Sequence, residues 1–321
     1  MGTGHVMRCL TLARELQQRN HEAVLFINQH DISWLEEEIT RSGIKTSVAP
    51  TQSLHSEGIL KLTPDIVVVD SYWINSIDIS DLNTKVPVVA IVDGEMRGID
   101  CSLYIDQNLG SEIQWAGKNA GRVLAGSRYA LIRKEITRLS RRQASNHFSS
   151  TPNVLIFAGG TDATGVIPEL LPAVDKVDQD FSLTVVTGDH SFSKDLLLRH
   201  SANFTSATTE FDSLIDRADI VIGAAGTSTW EICTLGIPSI FLAVVENQLQ
   251  VISAIAKAHC GESINLIAKN NQLISQLQAK LKELLTSQEL RAEFTRNCAA
   301  HFDGLGSSRV AEALEGLSLN Q

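Results

Sequence analysis

Positive charge is scarce in this sequence: 27 lysines and arginines stand against 37 aspartates and glutamates, for a formal net charge of −10. Broad binding of nucleic acid calls for lysine and arginine clustered along one face, so that class is set aside. A small anionic ligand is not excluded, because backbone N–H groups at a helix start hold phosphate whatever the overall charge. Paired cysteines are lacking as well. Cys9, Cys101, Cys233, Cys260 and Cys298 are scattered and form no C-x-x-C pair, which argues against zinc or dithiol chemistry and for reduced thiols in a cytoplasm. No apolar run is long enough to span a bilayer, and the first residues lack a charged segment followed by an apolar signal core. Neither a membrane span nor export is expected. With aromatics at 5% and hydrophobic residues at 43%, the composition is that of an ordinary globular protein.

What is present is alternation. At 321 residues the chain is comfortable as two domains, each able to bury its own core. Short Val- and Ile-rich runs at 23–28, 65–70, 86–93, 153–158, 182–187, 219–223 and 238–243 read as buried strands. Amphipathic stretches at 5–18, 32–41, 247–257 and 272–285 read as helices between them. That βαβα order predicts an α/β fold with parallel sheets covered by helices. The stretch 134–151, with Arg141, Arg142 and a serine-rich segment before Pro152, reads as a linker, giving Rossmann-like domains over 1–140 and 151–321. A glycine loop that opens a first helix normally follows the first, central strand of its sheet, yet Gly2 directly follows Met1. The first strand of domain 1 is therefore expected to be missing, with the true start upstream; a first strand elsewhere in the fold is the other reading.

Several constellations carry candidate chemistry. Gly2-Thr3-Gly4-His5 stands before an amphipathic helix, where Gly4 lets a ligand approach the backbone and the helix start favours negative charge. It is no dinucleotide fingerprint, since Met7 occupies the third glycine position. His5 either caps the helix or touches a phosphate, or, at the carboxyl edge of a parallel sheet, serves as a proton acceptor. The run from Ile220 to Glu231 reads as strand, small-residue turn and helix. The N–H groups around Gly226, Thr227 and Ser228 could cradle a diphosphate, and Glu231 could accept the hydroxyls of a ribose or simply suit the helix dipole.

Gly159 and Gly160 repeat that logic after the first strand of the second domain, with Asp162 read as a helix cap. Thr187-Gly188-Asp189-His190 reads as a turn. Asp70-Ser71-Tyr72 and Glu246-Asn247-Gln248 close two more strands with hydrogen-bonding groups; packing for Tyr72 and capping for Asn247 are the other readings. No metal-ligand spacing and no G-x-S-x-G elbow occur, and the Asp178–Asp180 pair reads as a solvated loop.

Taken together, the segments 2–13, 106–110 (Asp-Gln-Asn-Leu-Gly), 124–133, 159–162 and 226–231, with 246–248, resemble the UDP-sugar hydrolases of pseudaminic acid biosynthesis in the same order from Gly2 to about Gln248. That family is itself similar to the peptidoglycan N-acetylglucosaminyltransferase of glycosyltransferase B architecture, with two Rossmann-like domains facing a cleft. The resemblance implies hydrolysis of UDP-2,4-diacetamido-2,4,6-trideoxy-β-L-altropyranose with inversion, no metal and no cofactor. It also implies that His5 is the catalytic histidine, that Tyr72 and Asn247 line the sugar site, that Gly226 to Ser228 hold the diphosphate and Glu231 the ribose. A glycosyltransferase using the same UDP site is the alternative. The expected partner is the UDP-sugar alone, with the oligomeric state left open.

Overall fold

The computed structural model describes residues 3–27, 32–49, 54, 56–117, 122–139, 151–159, 162, 164–188, 198–206, 210–268 and 272–318. The chain forms two compact units, Met1–Arg133 together with Asp303–Gln321, and Lys134–Phe302. No helix among the described residues is long and apolar enough to cross a membrane.

The first unit runs α1 (Thr3–Gln18), β1 (Val24–Ile27), α2 (Ser33–Ser42), β2 (Lys45–Val48), α3 (Ser56–Leu60), β3 (Val67–Val69), α4 (Ser76–Asn83), β4 (Val88–Ile91), β5 (Leu103–Asp106), α5 (Ser111–Trp115) and β6 (Val123–Ala125). All its strand pairs are parallel. β1 and β2 make one small sheet, and β3-β4-β5-β6 make another in chain order. The strand expected ahead of Gly2 has no described counterpart, α1 beginning at the first described residue.

Helical periodicity gives α1 two buried stripes. Val6, Leu10 and Ala13 pack with Leu25, Leu35 and Ile39, whereas Leu12 joins Val89, Ile91 and Leu103. That second cluster is completed from the far end of the sequence by Val310, Ala311 and Leu314 of the last helix (Gly306–Ser318). The sequence reading carries the second domain through to residue 321, but this apolar face has its complement on the first unit and the segment from Asp303 groups there. Gly306 makes the junction: a Cβ at that position would stand 2.1 Å from the carbonyl oxygen of Ala130. Arg19 adds an ion pair to Glu315 at 3.0 Å.

The second unit contains α6 (Lys134–Arg138), β7 (Asn153–Phe157), α7 (Ile167–Asp175), β8 (Ser182–Val186), β9 (Ala202–Thr205), α8 (Phe211–Arg217), β10 (Ile220–Ala224), α9 (Ser228–Leu235), β11 (Ser239–Ala243), α10 (Gln248–Lys257), β12 (Glu262–Asn265), α11 (Leu273–Thr286) and α12 (Gln288–His301). Its six strands are all parallel in the order β12-β11-β10-β7-β8-β9. Strand order reverses between β7 and β10, the doubly wound arrangement in which ligands bind beyond the carboxyl ends at the reversal. β10 and β11 are buried along their whole length, as a sheet covered on both faces requires. Gly223 allows this at its own position, since a Cβ there would meet the ring of Phe157 at 2.7 Å.

Candidate functional site

In the first unit the three strands β3, β4 and β5 deliver aspartates to one edge. Asp70 follows β3 directly, Asp93 stands two residues beyond β4, and Asp106 ends β5. Because the strands are parallel and adjacent, their carboxyl ends gather together. The first two turns of α1 bring His5 and Arg8 to the same place, three residues apart and so on one helix face. Gly4 and His5 lie inside the first helical turn rather than ahead of it, the helix starting at Thr3.

His5 Nδ1 lies 2.6 Å from Asp70 Oδ1 and 3.2 Å from Arg8 Nη2. A guanidinium nitrogen can only donate, and a carboxylate can only accept. With the proton on Nδ1 the 2.6 Å approach to Asp70 is a hydrogen bond, the 3.2 Å approach of Nη2, itself a donor, is an electrostatic contact only, and the neutral ring keeps its lone pair on Nε2. Among the described residues Nε2 has no hydrogen-bond partner.

Asp70 is buried and held from two sides. Arg8 donates to it from Nε and, at 2.7 Å, from Nη2, forming a bidentate fork. The Cys9 thiol stands 3.8 Å from Oδ2. Burial alone would raise the Asp70 carboxyl, but Arg8 and then His5 outweigh it and hold the group below the ordinary aspartate value. The same attraction raises Arg8 despite its burial, so the pair stays ionised.

Asp93 anchors the neighbouring wall. It accepts from the Tyr72 hydroxyl, from Asn108 Nδ2 at 2.8 Å and from Arg8 Nη1 at 3.5 Å. Burial would raise this carboxyl too, and Arg8, Tyr72 and Asn108 bring it down instead. Burial and then the Asp93 charge push the Tyr72 hydroxyl well above the usual tyrosine range, so it is a donor at any working pH. The Tyr72 ring meets the His5 ring edge-on at 5.0 Å, with the Arg97 guanidinium 5.1 Å from its centroid. Asp106 plays a quieter part. It accepts from Trp115 Nε1, the Gly94 N–H and Asn108, and burial nonetheless leaves its carboxyl raised.

At the corresponding edge of the second unit the described residues include two glycine turns and a helix start. Gly159 follows β7 with φ +72°, and Gly226 follows β10, so the two turns sit on adjacent strands where the order reverses. A Cβ on either glycine would meet nothing within 4 Å, so packing does not demand glycine at these places. Thr227 occupies the N-cap position of α9 without a capping side-chain bond. Ser228 opens the helix and Glu231 is buried in its first turn. Asn247 is exposed at the start of α10, and its side chain makes no cap either. Gln248 has a structural bond instead: its Oε1 accepts from the Val244 N–H at 2.8 Å and closes the turn after β11. Asp162 caps α7, accepting from Val166 and Ile167. Gly160, Asp189 and His190 lie outside the described residues.

Of the residues singled out from sequence, the structure joins His5, Asp70 and Tyr72 in one cluster of the first unit. Sequence reasoning missed Arg8, Asp93 and Asn108. A signal was available in the endings Val-Val-Val-Asp70, Ile-Val-Asp93 and Tyr-Ile-Asp106, three apolar runs closed by the same acid. Among the described residues, no group of three or more His, Cys, Asp or Glu side chains is placed to hold a metal ion.

Comparison with known proteins supplies the wider frame. Residues 153–310 match the glycosyltransferase family 28 C-terminal domain, a span that opens on β7. An uncharacterised protein of Methanocaldococcus jannaschii is 24% identical over 265 residues, covering 78% of this chain and 54% of that protein. The chain thus spans about half the length of that relative. The spore coat polysaccharide biosynthesis protein SpsG of Bacillus subtilis is 23% identical over 329 residues, covering 98% of this chain and 95% of SpsG. Among solved structures, MurG of Acinetobacter baumannii superposes with a TM-score of 0.72 at 15% identity, over 98% of this chain and 97% of its own. The UDP complex of MnaA from S. aureus superposes with a TM-score of 0.70 at 14% identity, over 98% and 94%. The fold is accordingly of the glycosyltransferase B type, with two Rossmann-like units.

Proposed function

We propose that the chain is a nucleotide-sugar hydrolase that cleaves UDP-2,4-diacetamido-2,4,6-trideoxy-β-L-altropyranose to UDP and the free sugar, with inversion and without a metal. The UDP held by MnaA and the polysaccharide role in the name of SpsG support a nucleotide sugar as the substrate class. The observation that carries the hydrolytic step is the His5–Asp70 pair, which leaves Nε2 as a lone-pair base beside the Tyr72 ring. In this reading a water donates to Nε2. As its oxygen bonds to the anomeric carbon, the proton passes to His5, and the bond to the diphosphate breaks with its electron pair leaving on UDP. Asp70 keeps its charge and stabilises the imidazolium. A general base of this kind contributes about 10²–10⁴-fold.

UDP is a good leaving group and needs little acid assistance. Its growing charge suits the N–H groups and dipole at the start of α9, with Gly226, Thr227 and Ser228 around the diphosphate and Glu231 accepting from the ribose. Tyr72 and Asn247 are assigned to the sugar, Gly4 and Gly159 to close backbone approach.

The second reading is a glycosyltransferase using the same nucleotide site. The match to a family 28 glycosyltransferase domain favours it, as does Trp73, an indole 65% exposed directly after Tyr72 where an acceptor could lie. Incubation with the UDP-sugar in plain buffer separates the two. Free UDP without any acceptor, undiminished by EDTA, is the expected result; UDP that appears only on adding an acceptor assigns the transferase, and metal-dependent turnover removes the metal-free mechanism.

A further inference from the structure

Arg8 serves two walls of the first unit's site at once. Arg8 is buried, and its guanidinium spans both oxygens of Asp70 through Nε and Nη2 and turns Nη1 toward Asp93. Asp70 in turn accepts a hydrogen bond from His5 Nδ1, and Asp93 accepts one from the Tyr72 hydroxyl. We propose that Arg8 is the positioning residue of this site: one rigid fork fixes the histidine through Asp70 and the aromatic wall through Asp93. The kinetic part of this inference rests on the hydrolase reading; the geometric part does not.

An aspartate that accepts from a single imidazole can rotate and offer either oxygen, so the ring it holds is free to tilt. A guanidinium bound edge-on to both oxygens removes that freedom, because the two planes must coincide. The ring plane of His5 then follows from that of Arg8. A lysine ammonium is a compact point charge and cannot grip both Asp70 oxygens while reaching Asp93. No neighbour substitutes for the fork. The Cys9 thiol is a weak donor at 3.8 Å, and Arg97, across the Tyr72 ring, is committed through Nη1 to the carbonyl of Ser71 at 2.8 Å. Net stability does not account for the arrangement either, since a buried ion pair contributes little over an apolar replacement.

The test uses Arg8→Lys and Arg8→Met in the full chain, with three readouts: thermal melting, UDP release, and ¹⁵N spectra of labelled histidine in the resting protein. The His5 signals are assigned by their loss in His5→Asn. In the unmutated chain His5 is expected as the Nδ1–H tautomer. Arg8→Lys is expected to melt close to it, to show His5 averaging between tautomers, and to lose roughly 100-fold in kcat with KM nearly unchanged, the scale of a misplacement of about 1 Å. Arg8→Met leaves two acids uncompensated; where it fails to fold, Arg8→Lys decides alone. A folded Arg8→Lys with His5 tautomer and kcat both unmoved overturns the proposal. So does failure of both variants to fold, which makes Arg8 a folding residue. If the tautomer moves but no chain, unmutated included, releases UDP, the reaction reading falls while the positioning role stands.

Discussion

The two sheet edges present opposite materials at equivalent places. In the first unit the edge is built from charged side chains: Arg8, Asp70 and Asp93, with His5 and Tyr72 hung upon them. In the second, the described part of the edge carries glycine turns and a helix start at Gly159, Gly226 and Thr227, with a buried acid at Glu231. Side-chain networks fix direction and protonation, which suits chemistry at one atom. Backbone turns present N–H groups at a spacing any phosphate accepts, which suits holding a ligand. Damage should therefore differ in kind, with rate lost at the first edge and affinity at the second.

The sharpest way to break that contrast is His5→Asn. It keeps size and hydrogen bonding but removes proton transfer, so kcat should fall about 10²–10⁴-fold while UDP binding by calorimetry stays nearly intact. Retention of more than about a tenth of the rate would move water activation elsewhere, with Asp70 the next candidate.

A pair of glycines comes next. Gly306→Ala must place a methyl 2.1 Å from the Ala130 carbonyl oxygen, and overpacking of that severity costs about 3 kcal/mol, visible as a lowered Tm. Gly226→Ala meets nothing within 4 Å, so it should leave Tm unchanged and weaken UDP binding alone. Equal Tm losses for the two would mean that the turn after β10 is a packing feature.

Glu231→Ala should raise the UDP inhibition constant and the substrate KM together, by the ~1.5–3 kcal/mol of charge-assisted hydrogen bonds. Unchanged UDP affinity would return Glu231 to its helix.

The smallest expected effect is on acid stability. Asp70 and Asp93 have folded values below the ordinary one, so their contribution is fully present above about 3.9 and is lost as pH falls through the folded values. Asp106 is raised, so its contribution is present below about 3.9 and is lost as pH rises through its folded value. Two groups against one predict a first unit that weakens on acidification, and Asp70→Asn should flatten the acid side of a plot of Tm against pH. An unaltered slope in that variant would show that Asp70 is not held as described.

How much of this could be read from sequence depends on where an element sits. The strands found by their apolar runs include β7, β10 and β11, all interior to the larger sheet. Those missed include β2, β6, β9 and β12, every one at a sheet edge, where one side meets solvent and the apolar signal thins to runs such as Lys45-Thr-Ser-Val. The rule has exceptions on both sides: β1 and β3 are edge strands that their apolar runs revealed, and β5 is a buried interior strand of four residues that was missed. The four helix spans read from sequence, 5–18, 32–41, 247–257 and 272–285, agree with α1, α2, α10 and α11 to within two residues because 3.6-residue periodicity is long-range within one element; helices such as α4, α7, α8 and α12 were not read. Partnerships were not. His5 was visible, but Arg8 and Asp70 are 62 positions apart, and nothing in the local sequence pairs them. The return of the last helix to the first unit was hidden for the same reason, since an apolar stripe does not name the surface it covers.

The segment Lys134–Phe302 is one uninterrupted stretch, whereas the first unit is made from chain on both sides of it. Synthesis runs from the N-terminus, so every residue of the six-stranded sheet is made before Gly306–Ser318 exists. Until then Leu12, Val89, Ile91 and Leu103 lack Val310, Ala311 and Leu314. The half begun first is thus the half finished last, and a nascent chain halted after Phe302 carries a complete glycine-turn sheet beside an apolar face still awaiting its cover.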